Sequence, residues 1–201
     1  NVLTAKALSF YDAPGIIQFF WSGKGDKILL LKDERGAGKL RIHLYDIHNK
    51  EISDLSEDFQ NSSSLILKMH STENKAIVGF NERNPNFHDL YLVDLDTKEK
   101  KLVLENDSFA KFLFSDELEL ILKIALKEDG SWDVFNAKDE IWMHLIYEEA
   151  FHVEFLSFDS KDRKVYFLDC RDSNTNQLAS KSLESDLEEE FAHSHKSDIQ
   201  E

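Results

Sequence analysis

The chain has 201 residues, of which 41% are hydrophobic, enough to bury a substantial core, yet no apolar run is long enough to cross a bilayer as a helix. Its 39 acidic against 24 basic side chains leave a formal charge of −15, which repels phosphate backbones and anionic lipid, so neither nucleic acid nor membrane is an expected partner. Cys170 is the only cysteine, which excludes an internal disulfide and, with no charged-then-apolar leader after Asn1, leads us to expect a cytoplasmic protein in which the sequons at Asn61 and Asn106 go unused.

Residues 1–15 read as an N-terminal strand or the remnant of a preceding unit, with Val2–Ala5 as the candidate strand. Short alternating or apolar runs bounded by Asp, Asn, Gly or Ser then predict strands around Ile16–Trp21, Lys27–Lys32, Leu40–Ile47 and Glu51–Leu55. A second block follows with Leu65–His70, Lys75–Phe80, Asp89–Leu95 and Lys100–Leu104. A third has Ala110–Phe114, Leu118–Leu126, Trp132–Phe135 and Ile141–Ile146, with Glu128-Asp129-Gly130-Ser131 as a hairpin turn. A fourth has Val153–Phe158, Lys164–Asp169 and Gln177–Leu183. The blocks occupy about 16–58, 59–107, 108–150 and 151–186, and residues 187–201 form an acidic tail or an outer strand.

The first two blocks carry copies of one segment. LYDIHNKEI from Leu44 returns as LVDLDTKEK from Leu92, an offset of 48 residues that pairs Asp46 with Asp94, Lys50 with Lys98 and Glu51 with Glu99. The second strands start near Lys27, Lys75, Leu118 and Lys164, at spacings of 48, 43 and 46. A period of this length with four strands in each unit marks repeats that stack because none can bury its apolar face alone. The expected fold is all-β, a partial β-propeller of about four blades of four-stranded antiparallel sheets, whose open edges would favour self-association.

Particular runs resemble a known family. FFWSGKGDKILLLKDERG from Phe19, LRIHLYDIHNKEISDL from Leu40, IVGFNERNPNFHDLYLVDLDTKEKKLV from Ile77 and VYFLDCRDSNTNQLASKSLESD from Val165 are similar to the N-terminal propeller domain of the prolyl oligopeptidase family of serine peptidases, especially its acylaminoacyl-peptidase and dipeptidyl-aminopeptidase-like members. The resemblance covers most of Ile16–Asp186. Its most specific element is Asn81-Glu82-Arg83-Asn84-Pro85 followed by His88-Asp89-Leu90-Tyr91, where Pro85 stiffens the turn and Arg83 and His88 offer donors to nearby carbonyls or carboxylates, fixing the loop rather than holding substrate. Lys50 and Lys98 stand where the family usually has glycine, which implies a small strain or a different turn.

The resemblance further implies an α/β-hydrolase domain carrying a Ser, Asp and His triad, with the propeller restricting access to it. These 201 residues contain no Gly-x-Ser-x-Gly nucleophile elbow and no alternating strand and helix pattern to carry one, so no catalytic residue is carried over. Other motifs fail on their chemistry. Gly36-Ala37-Gly38-Lys39 has Asp33 at the first glycine of a phosphate loop and Leu40 at its Ser or Thr, and reads as a hairpin turn. Asp94 and Asp96 open like a calcium loop, but Lys98 and Glu99 replace an oxygen ligand and the required glycine. His152-Val153-Glu154 has no paired cysteines after it, and His193 and His195 lack the further ligands of a zinc site. Phe19, Trp21, Phe112, Phe114, Phe155 and Phe158 on first strands, with Trp132 and Trp142, read as packing between blades.

No catalytic, cofactor-binding or metal-binding residue is therefore assigned. The sequence leads to a non-catalytic propeller segment that gates or docks peptides for an α/β-hydrolase domain or subunit. Its alternatives are a free-standing scaffold for protein or peptide binding and a truncated split-gene product.

Overall fold

The computed structural model describes residues 15–33, 36, 38–185 and 188–192. In chain order the elements are β1 (Ile16–Trp21), β2 (Lys27–Asp33), β3 (Leu40–Asp46), β4 (Glu51–Asp54), β5 (Ser64–Met69), β6 (Lys75–Asn84), β7 (Phe87–Asp94), β8 (Lys100–Leu104), β9 (Phe109–Phe114), β10 (Leu120–Leu126), β11 (Trp132–Asn136), β12 (Ile141–Leu145), α1 (Tyr147–Ala150), β13 (Val153–Asp159), β14 (Lys164–Asp169), β15 (Gln177–Ser182) and β16 (Glu188–Ala192). They form four four-stranded sheets, each a meander of antiparallel neighbours in sequence order. These are the blades of a β-propeller, and the all-β expectation holds with one short helix added.

The first two blades lie in one compact unit, Asn1–Asp107. The middle strand β2 and the Ala76–Phe80 part of β6 read as apolar runs because both of their faces are covered, and β3 is buried along most of its length although Arg41 and His43 interrupt its apolar residues. Leu29, Leu31, Ile42 and Leu44 of the first blade share one core with Ile66, Ala76, Val78, Phe80 and Val93 of the second. Phe59, in the connection between the blades, stacks on Phe80 at 4.0 Å and meets Tyr91 edge-on at 5.2 Å.

The other two blades lie in the unit Ser108–Glu201. Leu122, Ile124, Val134 and Met143 pack with Val165, Phe167 and Ala179, so here too the core belongs to a pair of sheets and not to either alone. Trp142 donates its indole N–H to the Ser182 carbonyl at 2.8 Å, and Lys181 donates back to the Trp142 carbonyl at 3.0 Å, fastening β12 to β15.

The repeat seen in the sequence is a repeat of turn geometry. Asp46 Oδ1 accepts the N–H groups of His48 and Asn49, Asp94 Oδ1 accepts those of Asp96 and Thr97, and the residues that follow, Lys50 and Lys98, lie at φ 57° and 65°. Of the two alternatives the sequence left for these lysines, the structure selects the left-handed conformation with its strain. Asp159 builds the same turn before Arg163 at φ 51°.

Four details differ from the sequence reading. β6 runs on to Asn84, which narrows the expected loop to a turn at Pro85 and Asn86. Leu118 leaves the expected strand for a left-handed turn at φ 66°, held by its N–H to the Ser115 carbonyl. The short helix α1 follows β12 where no element was expected. Phe19 and Trp21 are 61% and 53% exposed because no described sheet covers that face of β1, whereas Phe114 and Trp142 are buried and Phe155, Phe158 and Trp132 pack at the margin of the core.

Candidate functional site

In the first unit, polar side chains converge where turns of the two blades meet. Lys27, the first residue of β2 and only 11% exposed, places its ammonium 3.1 Å from Asp96, 3.3 Å from Asp46 and 3.7 Å from Asp26. Burial by itself would lower the Lys27 pKa, but the bonds to Asp96 and Asp46 outweigh it and raise it. The amide of Asn74, with Lys24 and Lys27, holds the Asp96 carboxyl far below the usual range. A cleft of about 400 Å³ opens beside these groups, lined by Lys27, Asp46, Asn49, Asp96 and Lys98 among others. Asp46 and Asp96 are already paired with lysines, and no described group of His, Cys, Asp or Glu has the arrangement of a metal site. The arrangement clasps two blades.

Around the family-like motif, Arg83 is committed in the same way. It forms a two-pronged pair with Asp89 at 2.9 and 2.7 Å, reaches Asp107 at 2.7 Å and donates to the Asn106 carbonyl at 3.0 Å. The reading of Arg83 as a fixer of loop geometry agrees with this. Asn106, 1% exposed, lends its amide to the His88 carbonyl. The His88 ring bonds the Ser63 backbone, while Nε2 is buried without a partner among the described residues and burial holds the imidazole pKa down.

In the second unit, His144 Nδ1 lies 2.6 Å from the buried Asp133, which Lys127 also meets at 2.7 Å. This is a base held by a carboxylate, but among the described residues no hydroxyl or thiol bonds the imidazole, so the nucleophile of a triad has no counterpart. Gly38 donates its N–H to the Asp33 carboxylate in the β2–β3 turn, and Asp94 spends its Oδ1 on backbone N–H groups. His193 and His195, like Val2–Ala5, lie outside the described residues.

An aromatic cleft of about 460 Å³ lies between the third and fourth blades. Phe112 on β9, Trp132 on β11 and Phe155 on β13 line it, with Lys111 and Glu154 at the same surface and Phe151, just after α1, as an outer wall. Lys111 sits 4.3 Å over the Trp132 ring. The helix forms because Tyr-Glu-Glu-Ala follows the strand, with acidic residues in its first turn, the Ile146 N–H bonded by Glu149 Oε2 at 3.1 Å, and Ala150 buried beneath. Tyr147 and Phe151 remain 54% and 70% exposed and meet edge-on at 5.4 Å. Sequence reading missed this site, although Tyr147-Glu148-Glu149-Ala150 breaks the strand alternation where it begins.

Comparison with known proteins agrees with the geometry. No family model matches the chain. The fold is shared with TolB from Acinetobacter baumannii, at TM-score 0.54 and 12% identity over 88% of this chain and 43% of that one, and with a prolyl endopeptidase structure, at TM-score 0.56 and 14% identity over 87% and 26%. The class is therefore that of β-propeller proteins. Within it, the chain is 25% identical to dipeptidyl aminopeptidase BIII of Pseudoxanthomonas mexicana over 89% of its length, and 24% identical to dipeptidyl peptidase family member 6 of Caenorhabditis elegans over 80%. Its homologues are thus dipeptidyl peptidases, in agreement with the family resemblance carried by the motif around Arg83 and Asp89. The chain spans 27% and 22% of the length of these two relatives.

Proposed function

We propose that this chain is the peptide-docking and gating part of a dipeptidyl-peptidase-like protein, working beside an α/β-hydrolase domain or subunit and carrying out no hydrolysis itself. The observation that carries the reading is that the homology to dipeptidyl aminopeptidase BIII covers 89% of the chain and falls on blades throughout. The aromatic cleft is the docking surface in this reading, and its occupant is a short peptide with an apolar side chain near its amino end. Rings take up such a side chain with large burial, while Glu154 in the cleft lining, beside Lys111, and the chain's charge of −15 favour a free ammonium over a carboxylate.

The test has two arms. The purified chain should release no chromophore from dipeptide or acylaminoacyl substrates, and turnover that survives repurification would overturn the non-catalytic assignment. It should also bind a tripeptide with a free amino end more tightly than the same peptide acetylated, and equal binding of the two would remove the docking role of the cleft.

A second reading, a scaffold that associates with a second copy of itself, is favoured by the exposed Ile17, Phe19 and Trp21 on the edge strand β1. A single monomeric mass in solution across a hundredfold range of concentration would dismiss it.

A further inference from the structure

The hairpin between β10 and β11 meets Tyr147 at a glycine. Gly130 lies at φ 81°, with its N–H on the Lys127 carbonyl at 2.9 Å. Asp129 Oδ1 pins the turn further by accepting the Ser131 N–H and hydroxyl at 2.9 and 2.6 Å. A Cβ on Gly130 would stand 2.4 Å from Tyr147 Cδ2, 3.0 Å from Cε2 and 3.5 Å from Cγ. The ring of Tyr147 therefore lies directly on the glycine, and only a residue without a side chain allows it to do so.

We propose that Gly130 sets the width of the aromatic cleft by seating Tyr147, and so determines which peptide side chains enter. Tyr147 does not line the cleft itself, but it meets Phe151 edge-on at 5.4 Å, and Phe151 is the cleft's outer wall. Since the turn is pinned and Ala150 is buried, the element free to move is the exposed Tyr147 ring, and Phe151 follows it. Gly130 acts here as a positioning residue, and the effect on ligands rests on the docking reading above.

Two measurements separate the seat from the site. In the full chain labelled with 3-fluorotyrosine, the Tyr147 fluorine signal, assigned by its loss in Tyr147→Phe, should shift in Gly130→Ala, and an unmoved signal would overturn the seating. Binding of Ala-Phe-Ala amide should weaken about tenfold in Gly130→Ala, and Gly130→Ala added to Tyr147→Ala should cost nothing more. Full additivity of the two losses, or unchanged binding in Gly130→Ala beside a shifted signal, would overturn control of width. If the unaltered chain binds no tripeptide while the signal moves, the docking reading falls and the seat stands. Thermal unfolding of each variant identifies any loss of binding that is merely loss of fold.

Discussion

At Lys27 one ammonium stands among three carboxylates, and the charge is legible in the sequence only after folding brings Asp96 beside it from another blade. Lys27→Met leaves Asp46 without its cation and Asp96 with Lys24 alone. Since these carboxylates remain 23% and 44% exposed, the cost should fall below the several kcal/mol of a fully buried pair, at about 2 kcal/mol by urea unfolding. The clasp also sets a pH window. The folded carboxyls lie below their ordinary values and the folded ammonium above its own, so the stabilisation is full between about pH 4 and pH 10. It is lost as pH falls through the folded carboxyl values, or rises through that of the lysine, and Lys27→Met should flatten the acid limb of stability against pH.

His88 has the opposite sign to a salt-bridged histidine. Burial lowers its folded pKa, so its stabilisation is present above the unfolded value of about 6.5 and fades as pH falls toward the folded one. His88→Asn retains a donor near the Nδ1 position and cannot titrate. Urea midpoints should therefore drop from pH 7 to pH 5 in the parent and less in the variant, and equal drops would show that another group titrates. Arg83 was legible as a loop-fixing donor because its partner Asp89 lies in the same short motif, whereas the burial of His88 beside Gly79 depends on a neighbouring strand.

Among elements, the turns carry the specificity of the fold. The β1–β2 turn lies against the β5–β6 turn at Gly23, where a Cβ would come 2.6 Å from Glu73 N and from the His70 carbonyl oxygen. Both are backbone atoms and cannot swing aside, so Gly23→Ala should cost about 2 kcal/mol, measured by thermal or urea unfolding. The β3–β4 and β7–β8 turns behave differently. Lys50 and Lys98 hold left-handed conformations that burden a residue with a Cβ by about 1 kcal/mol, so Lys98→Gly should stabilise by several tenths of a kcal/mol after the added freedom of the unfolded chain is deducted. The Asp-x-x-x-Lys copies were readable because the aspartate acts on its own next residues. The packing of Gly23 was not, since its partner is some fifty residues away in the chain.

On the scale of the whole molecule, each unit has a core shared by its two blades, so the pair of blades is the smallest piece with a closed apolar interior. Residues 1–107 made alone should therefore show β-sheet circular dichroism and cooperative unfolding, while residues 1–58 should not. A non-cooperative 1–107 fragment would mean that the two units unfold only together. Alternation and turn residues by themselves determined most of the strands, the repeat and the grouping in fours of the first three blocks, because these follow from local geometry and from the need of each sheet to hide one face. The acidic stretch that forms β16 reads in the sequence as either tail or outer strand. The tertiary structure alone decided that Lys27 gathers carboxylates from two blades, that Phe19 and Trp21 face solvent, and that Tyr147 rests on Gly130 beside an aromatic cleft. Each of these depends on contacts between residues distant in the chain, which short-range periodicity does not encode.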